Sequence, residues 1–395
     1  MKYCILIIDG AAGHPLPDHG GKTCLELART PNLDALAQAG QVGMTCNVPA
    51  GMEPSSAVAC LSIMGYNPSV YYKGRSGIEA LSMGINIGQG EMVLRCNLVT
   101  VRDGKMLDYS AGHITTAESR ELIRALQEYL GNAGTHFFPG VSYRHILKLT
   151  AYPEALKAEC TPPHDIPGRP VAAYLPKGRG SGLLKDLMVR SEVIFKEHPV
   201  NVNRIARGEN PATTIWLFWP SGQAPALPSF EQLYRVKGAM ISGVDLLRGI
   251  ARMAQMEVLD IPGVSDGLDN DYAAQGAGAL QALETHDLVI VHVEAPDEAG
   301  HSGSAAGKVA AIEKTDADIA ARLRGYRPGG LRLLVLPDHP TPIDIQTHTG
   351  EAVPFLLWGP GLETNGAVRL TEAEGTASSF RVGAGYDIIK VLIGT

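Results

Sequence analysis

Three apolar runs in this sequence end on a carboxylate. Tyr3–Ile8 runs into Asp9-Gly10, Leu288–Val293 into Glu294-Ala295-Pro296-Asp297, and Leu331–Leu336 into Pro337-Asp338-His339. A single Asp in such a place is ordinarily a helix N-cap or a turn residue. Three of them, two with histidine close by, point to shared chemistry. His301 comes four residues after Asp297, His339 directly after Asp338, and His348 nine residues later in Thr347-His348-Thr349-Gly350. A spacing of four puts Asp297 and His301 on one face of a helix, and Gly300 permits a tight turn if the segment is not helical. Mixed carboxylate and imidazole donors suit Mn²⁺ or Zn²⁺, whereas Mg²⁺ prefers oxygen alone. Asp9, Ser56, Asp297, His301, Asp338, His339 and His348 make seven potential ligands, too many for one tetrahedral ion but suited to two.

Ser56 is the candidate nucleophile. It lies in Pro54-Ser55-Ser56-Ala57-Val58-Ala59-Cys60-Leu61, where Ala57–Met64 reads as a helix of small and apolar residues. A hydroxyl near a helix N-terminus sits among free N–H groups that favour a phosphate, and a bound cation makes it easier to deprotonate. Serine is also a common N-cap, which is the structural alternative. Arg75, His113, Arg144, His145, Arg204, Arg207 and Lys237 are the candidate anion-binding residues, because guanidinium forks hold phosphate and carboxylate bidentately. Any one of them taken alone reads equally as a solvated or ion-paired surface group. Gly178–Gly182 is glycine-rich but lacks the Gly-Lys-Ser/Thr ending of a nucleotide loop.

Positioning such a set requires strands delivering their carboxyl ends to one rim. The three runs are rich in Ile, Val and Leu without clean alternation, as strands buried on both faces are, and helical patterns lie between them. Thr30-Pro31 starts one helix and the Thr115/Glu118 capping box another. An α/β class with a mostly parallel sheet follows, its ligands outside the carboxyl ends of the strands. From Asp108 to Phe230, Pro/Gly-rich breaks surround a second set of strand-like runs at Ile146–Leu149 and Thr214–Phe218. The expected organisation is a discontinuous core of residues 1–107 and 231–395 with an inserted α+β domain at 108–230 and a return linker at Ser221–Ser229. At 395 residues, with a net charge of −7 and no block of like charge, the chain offers no surface suited to nucleic acid or an anionic membrane. No apolar run approaches the roughly 20 residues of a membrane helix. Six cysteines without metal-type spacing predict buried, reduced thiols in a cytoplasmic protein, and the sequence leaves its oligomeric state open.

Ile7-Ile8-Asp9-Gly10, His292 to His301, Leu336 to Pro342 and Thr347-His348-Thr349 together resemble archaeal-type cofactor-independent phosphoglycerate mutases of the alkaline phosphatase superfamily, over nearly the whole chain. The resemblance implies an alkaline-phosphatase-like core binding two divalent ions, Mn²⁺ first, with Zn²⁺, Mg²⁺ or Co²⁺ as alternatives. Asp297, His301 and His348 would surround one ion, and Asp9, Ser56, Asp338 and His339 the other. Ser56 would take the phosphoryl group from phosphoglycerate as phosphoserine and return it to the other hydroxyl of the retained glycerate, while the insert closes over the site and supplies basic residues. Ser55, Ala57 and Cys60 depart from the family's nucleophile segment, and Ser76-Gly77 stands where Gly-Pro is usual. Asp108 to Ile114 and Pro139 to His145 are most similar to a bacterial branch proposed as homoserine kinases, which implies a nucleotide donor at the same serine site as the alternative.

Overall fold

All three apolar runs become strands of one sheet. Numbered along the chain, β1 (Lys2–Ile8) and β2 (Gln41–Thr45) come first, followed by β3 (Met92–Arg102), β4 (Lys105–Asp108), β5 (Thr135–Val141), β6 (Arg144–Leu149) and β7 (Thr214–Gly222). The last group is β8 (Gly238–Ile241), β9 (Glu257–Val258), β10 (Leu288–Val293), β11 (Leu331–Leu336), β12 (Val353–Trp358) and β13 (Arg381–Val382). The structure, a computed structural model, describes residues 1–223, 226–328 and 330–394. The chain divides into two compact units, Met1–Tyr72 with Ala226–Thr395, and Lys73–Pro225.

The first unit is built on an eight-stranded sheet in the order β13-β2-β12-β11-β1-β10-β8-β9. Pairings around β1 are parallel, with Ile7 opposite both His292 and Leu336, whereas β12 runs antiparallel to β11 and β2. Residues 4–8 of β1 are fully buried, as the unbroken Cys-Ile-Leu-Ile-Ile run requires of a central strand covered on both faces. Because β1, β10 and β11 are parallel and in register, Asp9, Glu294 and Asp338 emerge at one edge.

The second unit holds a five-stranded antiparallel sheet, with β3 paired to β4, β6 and β7, and β5 on the outer side of β6. The helices Thr116–Leu130 and Ser181–Lys196 bury Leu122, Leu126, Leu184 and Phe195 in its core. The expected insert boundary at Asp108 is therefore corrected to Lys73. β3 looks like a core strand by composition, but its ladder partners, β6 and β7, lie inside the insert. Of the expected linker Ser221–Ser229, Ser221 and Gly222 belong to β7, and Ala224 and Pro225 lie outside the described residues. All six cysteines are free thiols; Cys46 and Cys160 are half-buried, contrary to the expectation that all would be buried. No helix among the described residues is long and apolar enough to cross a membrane.

Candidate metal centre

The Asp9 side chain sits at the end of β1 with no solvent exposure, its Oδ2 2.7 Å from His292 Nε2 and its Oδ1 without a hydrogen-bond partner. After β11, Asp338 Oδ1 accepts from the N–H groups of Gly10 (3.1 Å) and His339 (2.8 Å), which leaves Oδ2 with no hydrogen-bond donor, 3.2 Å from His339 Nε2. Gly10 has to be glycine here: its φ is +60°, and a Cβ would lie 2.5 Å from Asp297 Oδ1. Ser56 is the first residue of the helix Ser56–Ile63, with Ser55 as the N-cap accepting from Val58 N–H. Ser56 Oγ approaches His339 Nε2 at 3.3 Å.

Asp297 and His301 share a face of the short helix Ala295–His301, as their spacing predicts, with Asp297 Oδ2 3.1 Å from His301 Nε2. His348, brought in by the loop after β11, places its Nε2 3.5 Å from Asp297 Oδ1 and 2.9 Å from His301 Nε2. The outer nitrogens decide what these rings offer inward. His301 Nδ1 faces the Gln346 carbonyl (3.0 Å), His348 Nδ1 the Pro54 carbonyl (3.3 Å), and His339 Nδ1 the Thr341 hydroxyl (3.4 Å), which itself donates to Asp297. With each Nδ1 set against an oxygen, all three Nε2 atoms turn toward the carboxylates. Carboxylates crowded together in a buried site repel unless a cation or a proton lies between them.

The ionisation pattern shows the same strain. Burial, then Asp338 and Asp297, raise the Asp9 carboxyl well above its usual range. Burial pushes Asp297 up too, but its hydrogen bonds to His301 and His348 prevail and hold it well below the usual range. The Asp297 hydrogen bond lifts His301 to about 9, so a proton occupies this cluster when no cation does. Donor atoms of Asp297, His301 and His348 lie within 4.8 Å of one another, and so do those of Asp9, Asp338 and His339. The buried oxygens of Asp9 and Asp338 that lack hydrogen-bond partners, together with the three inward imidazole nitrogens, fit divalent cations.

Two residues absent from the candidate set also face this centre. His292 bridges Asp9 and Ser242 (Nδ1 to Oγ, 3.1 Å), and Glu294 Oε2, 3.5 Å from His292, has no hydrogen-bond partner. A lone histidine inside the otherwise apolar run Leu288–Val293 was the available signal for the first. Glu294 is the carboxylate directly after that run, and that position was the signal for the second.

A family model described as 2,3-bisphosphoglycerate-independent phosphoglycerate mutase matches residues 37–201. A protein of that name from Methanothrix thermoacetophila is 44% identical over 396 residues, covering 100% of each chain. The chain belongs to this family. Among solved structures, the cofactor-independent phosphoglycerate mutase from Thermoplasma acidophilum is similar across 100% of this chain and 99% of its own, with a TM-score of 0.67 and 25% identity. The PH0037 protein from Pyrococcus horikoshii shares the fold at a TM-score of 0.83, over 100% of this chain and 96% of that one, at 24% identity.

For this phosphoglycerate mutase family member, the anion-binding candidates fare unevenly. Lys237 precedes β8 and its carbonyl accepts from Asp287 and Leu288, at the amino ends of the parallel strands and thus the opposite rim from Asp9. Arg204 is 2% exposed and fully engaged. It donates to Glu118 Oε2 (2.8 Å), Asn210 O (2.9 Å), Ala111 O (2.9 Å) and Gly112 O (3.2 Å), so it staples a loop instead of presenting a free fork. Arg207 pairs with Glu118 and Glu209. His145 is buried, accepting from Gly140 N–H through Nδ1, with Nε2 lacking a partner. Arg75 starts the helix Arg75–Ser82, pairs with Glu79 and lies over the Trp219 ring at 4.7 Å. His113 is exposed at φ +48°, and the half-buried Arg144 lies over Tyr143. Arg204, Arg207 and Lys237 are engaged or placed in these ways and His145 is buried, whereas Arg75, His113 and Arg144 have exposed or half-buried side chains open to an anionic substrate.

Proposed function

We propose that this protein interconverts 3-phosphoglycerate and 2-phosphoglycerate by passing the phosphoryl group through Ser56. The observation carrying the proposal is the convergence of Ser56 Oγ with two carboxylate–imidazole donor sets whose buried oxygens and ring nitrogens turn inward, in a chain related end to end to proteins bearing that name. Asp297, His301 and His348 would hold one divalent ion and Asp9, Ser56, Asp338 and His339 a second, with Mn²⁺ first and Zn²⁺, Mg²⁺ or Co²⁺ as alternatives. Such ions lower the pKa of a nearby hydroxyl and neutralise charge on a transferring phosphoryl group.

The chain's own groups account for the rest. The N-terminal N–H groups of the helix Ser56–Ile63 would face the phosphate, and the His339 contact would orient the Ser56 hydroxyl. Ser56 Oγ forms a bond to phosphorus as the bond from phosphorus to the glycerate oxygen breaks. The released alkoxide takes up a proton equal to the one lost from Ser56. The second glycerate hydroxyl then attacks the phosphoserine, and the serine hydroxyl is restored. The relatives' names favour this reading over ATP-dependent phosphorylation of homoserine. The free thiols suit a reducing compartment, the cytoplasm.

The test has two arms on Mn²⁺-loaded protein. One follows 3-phosphoglycerate to 2-phosphoglycerate, with acid quenching and peptide mass spectrometry to find phosphate on Ser56. The other supplies ATP and homoserine. Mutase turnover with label on Ser56 is expected; turnover in the homoserine arm alone would overturn the reading.

A further inference from the structure

Lys308 lies in the middle of the helix Ala305–Lys314 and has no solvent exposure. A buried lysine is rare unless its charge is met, and here Nζ donates to the Ala12 carbonyl at 2.9 Å and the Thr341 carbonyl at 2.8 Å. Both carbonyls belong to loops that carry donor residues. Ala12 follows Asp9 by three residues, and Thr341 follows Asp338-His339 by two. The loops are themselves joined, with Ala11 and Ala12 bridged to Pro340 and Thr341 N–H donating to Ala12 O at 3.1 Å. Thr341 also donates its hydroxyl to Asp297, so one pinned residue touches the second donor set as well.

Resting on the metal-dependent reading above, we propose that Lys308 is a positioning residue for both cation sets. It ties the loop after β1 to the loop after β11, and its charge offsets the acids of the ion-free centre. Burial lowers the ammonium's pKa while Cys24, Asp297, Glu372 and Asp9 counter it, so the group lies within the field of these acids. The helix stripe it shares with Ala311 and Ile312 is otherwise apolar, and a methionine of similar length fills the same space without the two N–H bonds.

Mn²⁺ binding by full-length wild type, Lys308→Met and Lys308→Gln is measured by isothermal titration calorimetry and Mn²⁺ electron paramagnetic resonance, with thermal unfolding of ion-free and loaded forms. Loss of an outer group that orients ligands weakens metal binding about 10–100-fold. The expected result is a loss of that size in Lys308→Met, with part of the affinity returned by Lys308→Gln, which keeps two N–H donors. The gain in melting temperature on loading should shrink accordingly. If Lys308→Met does not fold, Lys308→Gln carries the comparison against wild type. Unchanged Mn²⁺ affinity in a folded variant, with only an equal drop in melting temperature for both forms, overturns the inference. Wild type that binds no Mn²⁺ would instead sink the metal reading on which it rests.

Discussion

The two units treat charged side chains in opposite ways. In the first, Asp9, Asp338, His339 and Asp297 are buried at strand and helix ends, two of their oxygens lack hydrogen-bond partners, and imidazole nitrogens crowd the carboxylates. In the second, Arg204 is just as buried but donates to two carbonyls of its loop, to Asn210 and to Glu118. Buried polar groups ordinarily find partners, so an orphan cluster marks where an absent partner belongs and a satisfied one marks scaffold. Residue type alone does not separate the two cases. Partner satisfaction does.

The largest effect that can break this contrast is at Ser56. Ser56→Ala should lower turnover by roughly 10⁴–10⁶-fold, the range seen when a nucleophile is removed, with Mn²⁺ stoichiometry retained in calorimetry. Next comes Asp297→Asn, which should weaken one Mn²⁺ by more than about 100-fold, beyond what loss of an outer group does. Equal loss of both ions would show that the two donor sets are not separable. For the scaffold side, Arg204→Ala should cost roughly 3 kcal/mol in urea denaturation of the second unit, because the Ala111, Gly112 and Asn210 carbonyls lose their donor while Glu118 keeps Arg207 and Thr115. Arg207→Ala, in half-exposed pairs, should cost under about 1 kcal/mol. A KM increase without loss of stability in Arg204→Ala would restore it as a substrate residue.

A smaller effect comes from pH. Burial, helped by Arg95, holds His145 at about 3, against 6.5 for the free side chain. Between those values the unfolded chain binds a proton that the folded one does not. The stability contributed is therefore complete above pH 6.5 and falls as pH drops toward 3, by at most about 1.4 kcal/mol per pH unit. Urea midpoints between pH 7.5 and 5 should show this slope, and His145→Gln should flatten it. Smallest of all, Lys237→Ala at the far rim should leave turnover and Mn²⁺ affinity within about twofold.

The clustering of the candidate acids and histidines was legible because they follow buried parallel strands or lie a few residues beyond an acid that does. Strand ends and local spacing are short-range facts. The insert boundary was not, since the apolar run of β3 is the same whether it pairs with the core or with β6 and β7. The ion-paired alternative for Arg204 could not be chosen from the sequence, because its partner Glu118 stands 86 residues away. His292 and Lys308 each interrupt an apolar pattern, a histidine inside a strand and a lysine on a buried helical stripe, and both interruptions could have been read.

The position of β1 has a consequence for how the chain is made. Its neighbours β10 and β11 pair Tyr3 with Leu288 and Lys2 with Leu331, so this hydrophobic segment leaves the ribosome long before either partner strand is synthesised. At about 5–20 residues per second that delay is on the order of tens of seconds. Residues 73–225 can meanwhile fold as a unit. The nascent Cys4–Ile8 stretch thus waits uncovered, and ribosome stalling before residue 288 would leave it as an aggregation seed.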